Sequence, residues 1–248
     1  MSSGLHSSHT NYTYTIDVFV PEAACPEKGF PVIYILDGLS YFEFAKKIIE
    51  LQCKNEAKTM MKPAIIVGIN HNKKTMRKRR FHDFTAPASS YIFPERMNGR
   101  EPEEVGGADD FRLFMEKELK PYIHNHYPAN MNNQTLFGHS LGGYYALWNL
   151  FNHRNDFSKY IALSPSIWWN EYELMKMADS FLVEESINKA LFIGVGEMEG
   201  YMARDAKNMN ELLSRKGMRS IFYEAAEENH ASVVPTVLSR AFRYISNL

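Results

Sequence analysis

Gly138-His139-Ser140-Leu141-Gly142 fits the pattern G-x-S-x-G. A serine set this way sits on a sharp strand-to-helix turn that presents its hydroxyl to a substrate. The chain doubles back so tightly there that a Cβ two places before or after the serine is expected to strike backbone, and glycine fills both places. The context agrees: Gln134 to Phe137 reads as a short buried strand, and Leu141 onward as an apolar helix. The N-terminus of that helix, directly behind Ser140, offers unpaired N–H groups to an oxyanion.

A serine hydroxyl is a poor nucleophile at neutral pH. It needs a neutral imidazole within hydrogen-bond reach, and that imidazole is usually oriented by a carboxylate. Where a serine stands on such a turn, the chain order runs serine, acid, histidine. Of the nine histidines, only His230 follows a late strand in a loop. The acid belongs just past the preceding strand, which leaves Glu197 and Glu199, with Glu199 favoured. The N–H groups of Leu141, after the nucleophile, and Leu39, beyond the first central strand, are the expected oxyanion donors.

These residues need a scaffold, and the hydrophobic pattern supplies one. Tyr12 to Val20 alternates as an edge-type strand, while residues 31–36, 64–69, 159–163 and 190–195 are continuous apolar runs of the kind found in strands covered on both faces. Residues 219–224 read as the last strand. Helical spacing appears over residues 41–51, 109–127, 141–151, 175–185, 203–216 and 233–247, with Pro121 expected to kink or end the second of these and Gly217 to cap the fifth. Alternating strands and helices imply an α/β fold with a mainly parallel sheet, helices on both faces, and a ligand site at the carboxyl ends of the strands. Residues 1–11 are expected as a flexible tail and 12–248 as one domain.

Two stretches near the expected site lack a settled reading. From Asn70 to Gly107 no period is sustained, and the stretch carries Lys73, Lys74, Arg77, Lys78, Arg79 and Arg80. Most of these belong to a solvated surface, while some could draw a polyanionic substrate toward the serine. Trp168 and Trp169, past a strand end, either pack or wall a pocket for an aromatic ligand.

Composition narrows the class of function. The 248 residues are 45% hydrophobic and 23% charged, with a net charge of −1, a balance that suits neither a nucleic-acid binder nor a membrane-surface protein. Cys25 and Cys53 form no C-x-x-C spacing and suit a reducing compartment. With no apolar leader at the N-terminus and no long apolar run, a cytoplasmic protein is expected. No metal or cofactor is expected, and the oligomeric state is left open.

At this point the chain resembles a known group. Residues 31–38 (PVIYILDG), 83–85 (DFT), 106–108 (GGA), 138–143 (GHSLGG), 164–169 (SPSIWW) and 196–197 (GE) together resemble the "Putative esterase" family of α/β-hydrolases, and within it the siderophore esterases that open bacillibactin- and salmochelin-type trilactones. The resemblance implies an α/β-hydrolase that cleaves the esters of a cyclic tris-catecholate trilactone, releasing iron after uptake. It places the family serine on Ser140, its histidine on His230, its oxyanion leucine on Leu39 and its arginine on Arg80. An anionic ferric catecholate would account for a basic loop and a tryptophan wall beside the site. Alternatives are a general carboxylesterase or thioesterase, and a catalytically silent binding protein on the same scaffold.

Overall fold

The structure is a computed structural model that describes residues 1–94, 97, 101–181 and 189–248. It opens with two strands, β1 (Ser2–Ser7) and β2 (Tyr12–Phe19). Then come β3 (Phe30–Leu36), α1 (Gly38–Gln52), the short α2 (Glu56–Thr59), β4 (Ile65–Asn70) and α3 (Met76–Phe84). One continuous helical stretch follows: α4 (Ala108–Leu113), a π-helical turn (Phe114–Leu119) and α5 (Lys120–His126). The serine turn joins β5 (Ala129–His139) to α6 (Leu141–Asn152). Beyond it lie β6 (Lys159–Leu163), α7 (Trp169–Ser180), β7 (Ala190–Gly196), α8 (Tyr201–Arg215), β8 (Arg219–Ala225) and α9 (Val233–Ser246).

The strands form one sheet in the order β1-β2-β4-β3-β5-β6-β7-β8. The pairs from β4 to β8 are all parallel, and only β1–β2 and β2–β4 are antiparallel. Because side chains alternate across a strand, neighbouring residues feed two cores. Tyr34, Leu36, Leu136, Tyr160 and Ile193 face one core, with α6 and the α4–α5 stretch packed over them. Ile33, Ile35, Phe137, Ile161 and Phe192 face the other, beneath α1 and α9. Burial on both faces is why the middle strands read as unbroken apolar runs.

Three expectations are corrected. Residues 1–11 are not a tail: β1 pairs with β2 in register from Ser2↔Asp17 to Ser7↔Tyr12, and the Met1 ammonium donates to the Val18 carbonyl at 2.9 Å. Of the two outcomes expected at Pro121, a kink or an end, the helix does not end: an irregular π-helical turn precedes the proline and α5 runs on to His126. The stretch from Asn70 to Gly107 holds α3, which charge pairs secure in place of an apolar stripe. The last part of the helix expected at residues 175–185, beyond Phe181, lies outside the described residues. The remaining strands and helices lie where the sequence patterns put them, to within a few residues, except that β5 already starts at Ala129 rather than Gln134 and α7 at Trp169 rather than Met175.

Candidate active site

Ser140 adopts φ 58° and ψ −117°, a strained backbone for any residue but glycine. The turn is pinned from both sides: Ser140 N–H donates to the Leu163 carbonyl at 2.9 Å, and Ser166 N–H donates to the Ser140 carbonyl at 3.1 Å. The steric expectation for the two flanking glycines holds at only one of them. A Cβ on Gly138 would stand 2.0 Å from the Gly142 carbonyl oxygen, whereas one on Gly142 would meet nothing nearer than Leu36 at 3.5 Å. Gly143 is the tighter helix position, where a Cβ would lie 3.0 Å from Pro165 Cα.

His230 and Glu199 complete a relay with this serine. His230 Nε2 lies 3.0 Å from Ser140 Oγ, and Nδ1 lies 2.6 Å from Glu199 Oε2. With the imidazole proton on Nδ1, the ring accepts from the serine and donates to the carboxylate. Glu199 occupies a single turn of 3₁₀ helix just past β7, where Gly196 N–H donates to its Oε1 at 2.7 Å and Ser164 Oγ to the same oxygen at 2.5 Å. Burial alone would push the Glu199 carboxyl up. The hydrogen bonds from His230, Ser164 and Gly196 outweigh that and hold it below the usual carboxylate range. Glu197, the other candidate acid, is exposed and accepts instead from the Glu227 N–H at 3.0 Å.

The oxyanion candidates are set by helix geometry. Leu141 is the first residue of α6 and Leu39 the second of α1, positions whose N–H groups have no partner within their own helix. Asp37, just before α1, has φ 55° and holds Arg80 through two hydrogen bonds. Arg80 lines the cavity of about 250 Å³ that contains Ser140, His230, Tyr41 and His139. It does so as a charge already matched by a carboxylate.

Trp169 is fully buried, packed on Phe81, Tyr91 and Phe93 with ring centroids 5.5–6.3 Å apart, which settles it as a packing residue. Trp168 is partly buried, its ring 6.0 Å from that of Trp169. Among the described residues no group of three or more His, Cys, Asp or Glu side chains could hold a metal ion, and no helix is long and apolar enough to cross a membrane.

Sequence reasoning passed over three side chains that the fold brings to the relay. Ser164, fully buried with φ 43°, braces Glu199; a lone serine ending the apolar run of β6 was the available signal. His139 lies with its ring centroid 4.6 Å from that of His230, and its Nδ1 is 2.8 Å from the Tyr41 hydroxyl. Burial, reinforced by the proximity of His230, pushes the His139 pKa down to about 4, so it stays neutral through the physiological range. Tyr41, one turn into α1, gave no sign in its spacing of facing the serine turn.

Comparison with known proteins gives this geometry its context. The family described as "Putative esterase" matches residues 7–236. The ferri-bacillibactin esterase BesA of Bacillus subtilis (strain 168) is 38% identical over 251 residues, covering 97% of this chain and 87% of its own length. The siderophore enterobactin esterase of Emericella nidulans is 27% identical over 272 residues, covering 95% and 90%. The crystal structure of the BES protein from Bacillus cereus superposes with a TM-score of 0.92 at 35% identity, covering all of this chain and 96% of that one.

Proposed function

Because the chain belongs to the "Putative esterase" family of α/β-hydrolases and is a carboxylic ester hydrolase, we propose that it cleaves the ester bonds of a catecholate siderophore trilactone for iron release. The single observation that carries the mechanism is the relay from Ser140 through His230 to Glu199, at 3.0 and 2.6 Å. Ser140 Oγ attacks the ester carbonyl carbon while His230 Nε2 takes the hydroxyl proton. The resulting imidazolium is held by Glu199 through Nδ1–H. The tetrahedral oxyanion is received by the N–H groups of Leu39 and Leu141. Collapse breaks the C–O bond, and His230 returns its proton to the departing alkoxide, leaving an acyl-Ser140. A water molecule that loses its proton to His230 then attacks the acyl carbonyl; collapse breaks the bond to Ser140 Oγ, His230 returns the proton to that oxygen, and the acid product leaves.

The siderophore relatives support the substrate, and the cytoplasm is the compartment where release after uptake is useful. The test is hydrolysis of a ferric tris-catecholate trilactone and of p-nitrophenyl butyrate side by side, followed by chromatography with mass detection. A far higher kcat/KM for the trilactone is expected. Fast cleavage of the simple ester with an untouched trilactone would leave the serine chemistry standing and remove the siderophore assignment. Labelling by a fluorophosphonate, lost in Ser140→Ala, checks the nucleophile independently of substrate.

A further inference from the structure

Helix α3 separates two cavities. Met76 and Arg80 line the one that contains Ser140. Lys74, Arg77, Lys78 and Phe81 line a larger one of about 440 Å³, with Glu101 and Glu103 opposite. Met76 and Arg80 form one i,i+4 row and Arg77 and Phe81 the next, about 100° further round the helix, so the two cavities lie against neighbouring faces of α3. No step of the ester chemistry uses the larger one.

Its lining has a definite chemistry. Lys78 is spoken for, paired with Glu103 at 3.2 Å and Glu104 at 3.0 Å. Lys74 and Arg77 are exposed and have no carboxylate partner among the described residues; Glu101 is the acid on the facing rim. Arg77 and Phe81 are four positions apart and so share a helix face, and Lys74, in the turn that leads into α3, lines the same cavity. Phe81 in turn rests on Trp169, ring centroids 5.8 Å apart, which gives the cavity a fixed aromatic wall. A planar ring can stack against that wall while its anionic oxygens meet the guanidinium and the ammonium.

We infer that this cavity is a second subsite, built for a planar aromatic anion, and that it holds one catecholate arm of the substrate while Ser140 attacks an ester at the neighbouring centre. The inference rests on the siderophore-esterase reading. A substrate with several arms spans both cavities, and the arm bound at the distant one contributes binding energy to the reaction at the serine. The aromatic wall expected from Trp169 is supplied here by Phe81, with Trp169 as its backing.

The test is a calorimetric titration of the full chain, carrying Ser140→Ala to prevent turnover, with 2,3-dihydroxybenzoate as the anionic probe and 2,3-dimethoxybenzamide as its neutral counterpart. Arg77→Glu, on α3, and Lys74→Glu, in the turn before it, both at exposed positions, are each expected to raise the Kd for dihydroxybenzoate about tenfold or more, with a smaller effect for the neutral probe. Phe81→Leu is expected to weaken both probes. An unchanged Kd for dihydroxybenzoate in Arg77→Glu and Lys74→Glu would overturn the subsite, and so would equal losses for the two probes in those variants. The titration involves no ester cleavage, so binding that responds to Arg77 alongside an untouched trilactone would sink the substrate reading and not the subsite. Trilactone cleavage with KM insensitive to both charge reversals would do the reverse.

Discussion

Arg80 and Asp37 form a two-point ion pair, with Nε 2.5 Å from Oδ1 and the terminal nitrogen 2.9 Å from Oδ2. Asp37 stands two residues before Leu39, so the guanidinium fixes the turn that aims a candidate oxyanion N–H. Reading Arg80 from the sequence as an anion-binding side chain missed this. Its charge is engaged, and the buried Asp37 carboxylate depends on it.

Arg80→Ala is therefore expected to lower kcat at least as much as it raises KM, and to destabilise the fold by about 3 kcal/mol, because a largely buried carboxylate loses its partner. Arg80→Lys is expected to recover little, since one ammonium cannot reproduce a two-point contact. Steady-state kinetics with urea unfolding separate the effects; a pure KM change would return Arg80 to the substrate.

The two glutamates past β7 should differ sharply. Glu199→Gln is expected to lower kcat about 10³-fold, because the amide no longer supplies the charge that stabilises the His230 imidazolium. Glu197→Gln, at an exposed side chain that accepts from the Glu227 N–H, should stay within about twofold. The two variants assayed on one ester decide the matter.

Ser164→Ala removes one of three donors that depress the Glu199 pKa. The carboxyl should then protonate at a higher pH, so the acid limb of the kcat/KM profile should move upward. Loss of a charge-assisted hydrogen bond of about 1.5–3 kcal/mol sets the scale, roughly tenfold or more in rate. A pH–rate profile whose acid limb coincides with that of the unmodified enzyme would show that Ser164 fills space only.

Asp83 offers a test of stability against pH. It is fully buried and accepts from Tyr14, His71, Arg79 and His82 at 2.7–2.9 Å, tying α3 to β2 and to the end of β4. Burial by itself would push its pKa up, but hydrogen bonds from His71 and His82 and the nearby charges outweigh it and bring it down to about 2. A depressed carboxyl stabilises the fold above its unfolded pKa, near 3.8, and that stabilisation fades as pH falls toward 2. Its size is about 2 kcal/mol. Asp83→Asn should be less stable by about that much at pH 7, and the gap should narrow between pH 4 and pH 2, as read from urea midpoints.

Much of this was legible in the chain because the governing signals are local. The runs at residues 31–36 and 190–195 are apolar throughout because the sheet is covered on both faces, and the serine turn advertised itself through its glycines. What escaped was set by distant partners. β1 shows little apolar alternation because it is an edge strand with few residues facing the core. Helix α3 lacks an apolar stripe because polar contacts hold it to the body, from its Arg80 to Asp37 and from its Asp83 to Tyr14 and His71. Glu197 and Glu199 are the same residue type two places apart, and distant partners separate them: Ser164 and His230 hold Glu199, whereas Glu197 accepts from the Glu227 N–H.

The nucleophile and its base are 90 positions apart in sequence, joined only after β6, β7 and β8 have docked in parallel beside β5. Parallel pairings close long loops and form late in folding. A chain emerging from the ribosome thus carries the serine segment long before it carries an enzyme. Regain of esterase activity during refolding should accordingly lag the recovery of helical signal, making turnover a clock for completion of the far edge of the sheet.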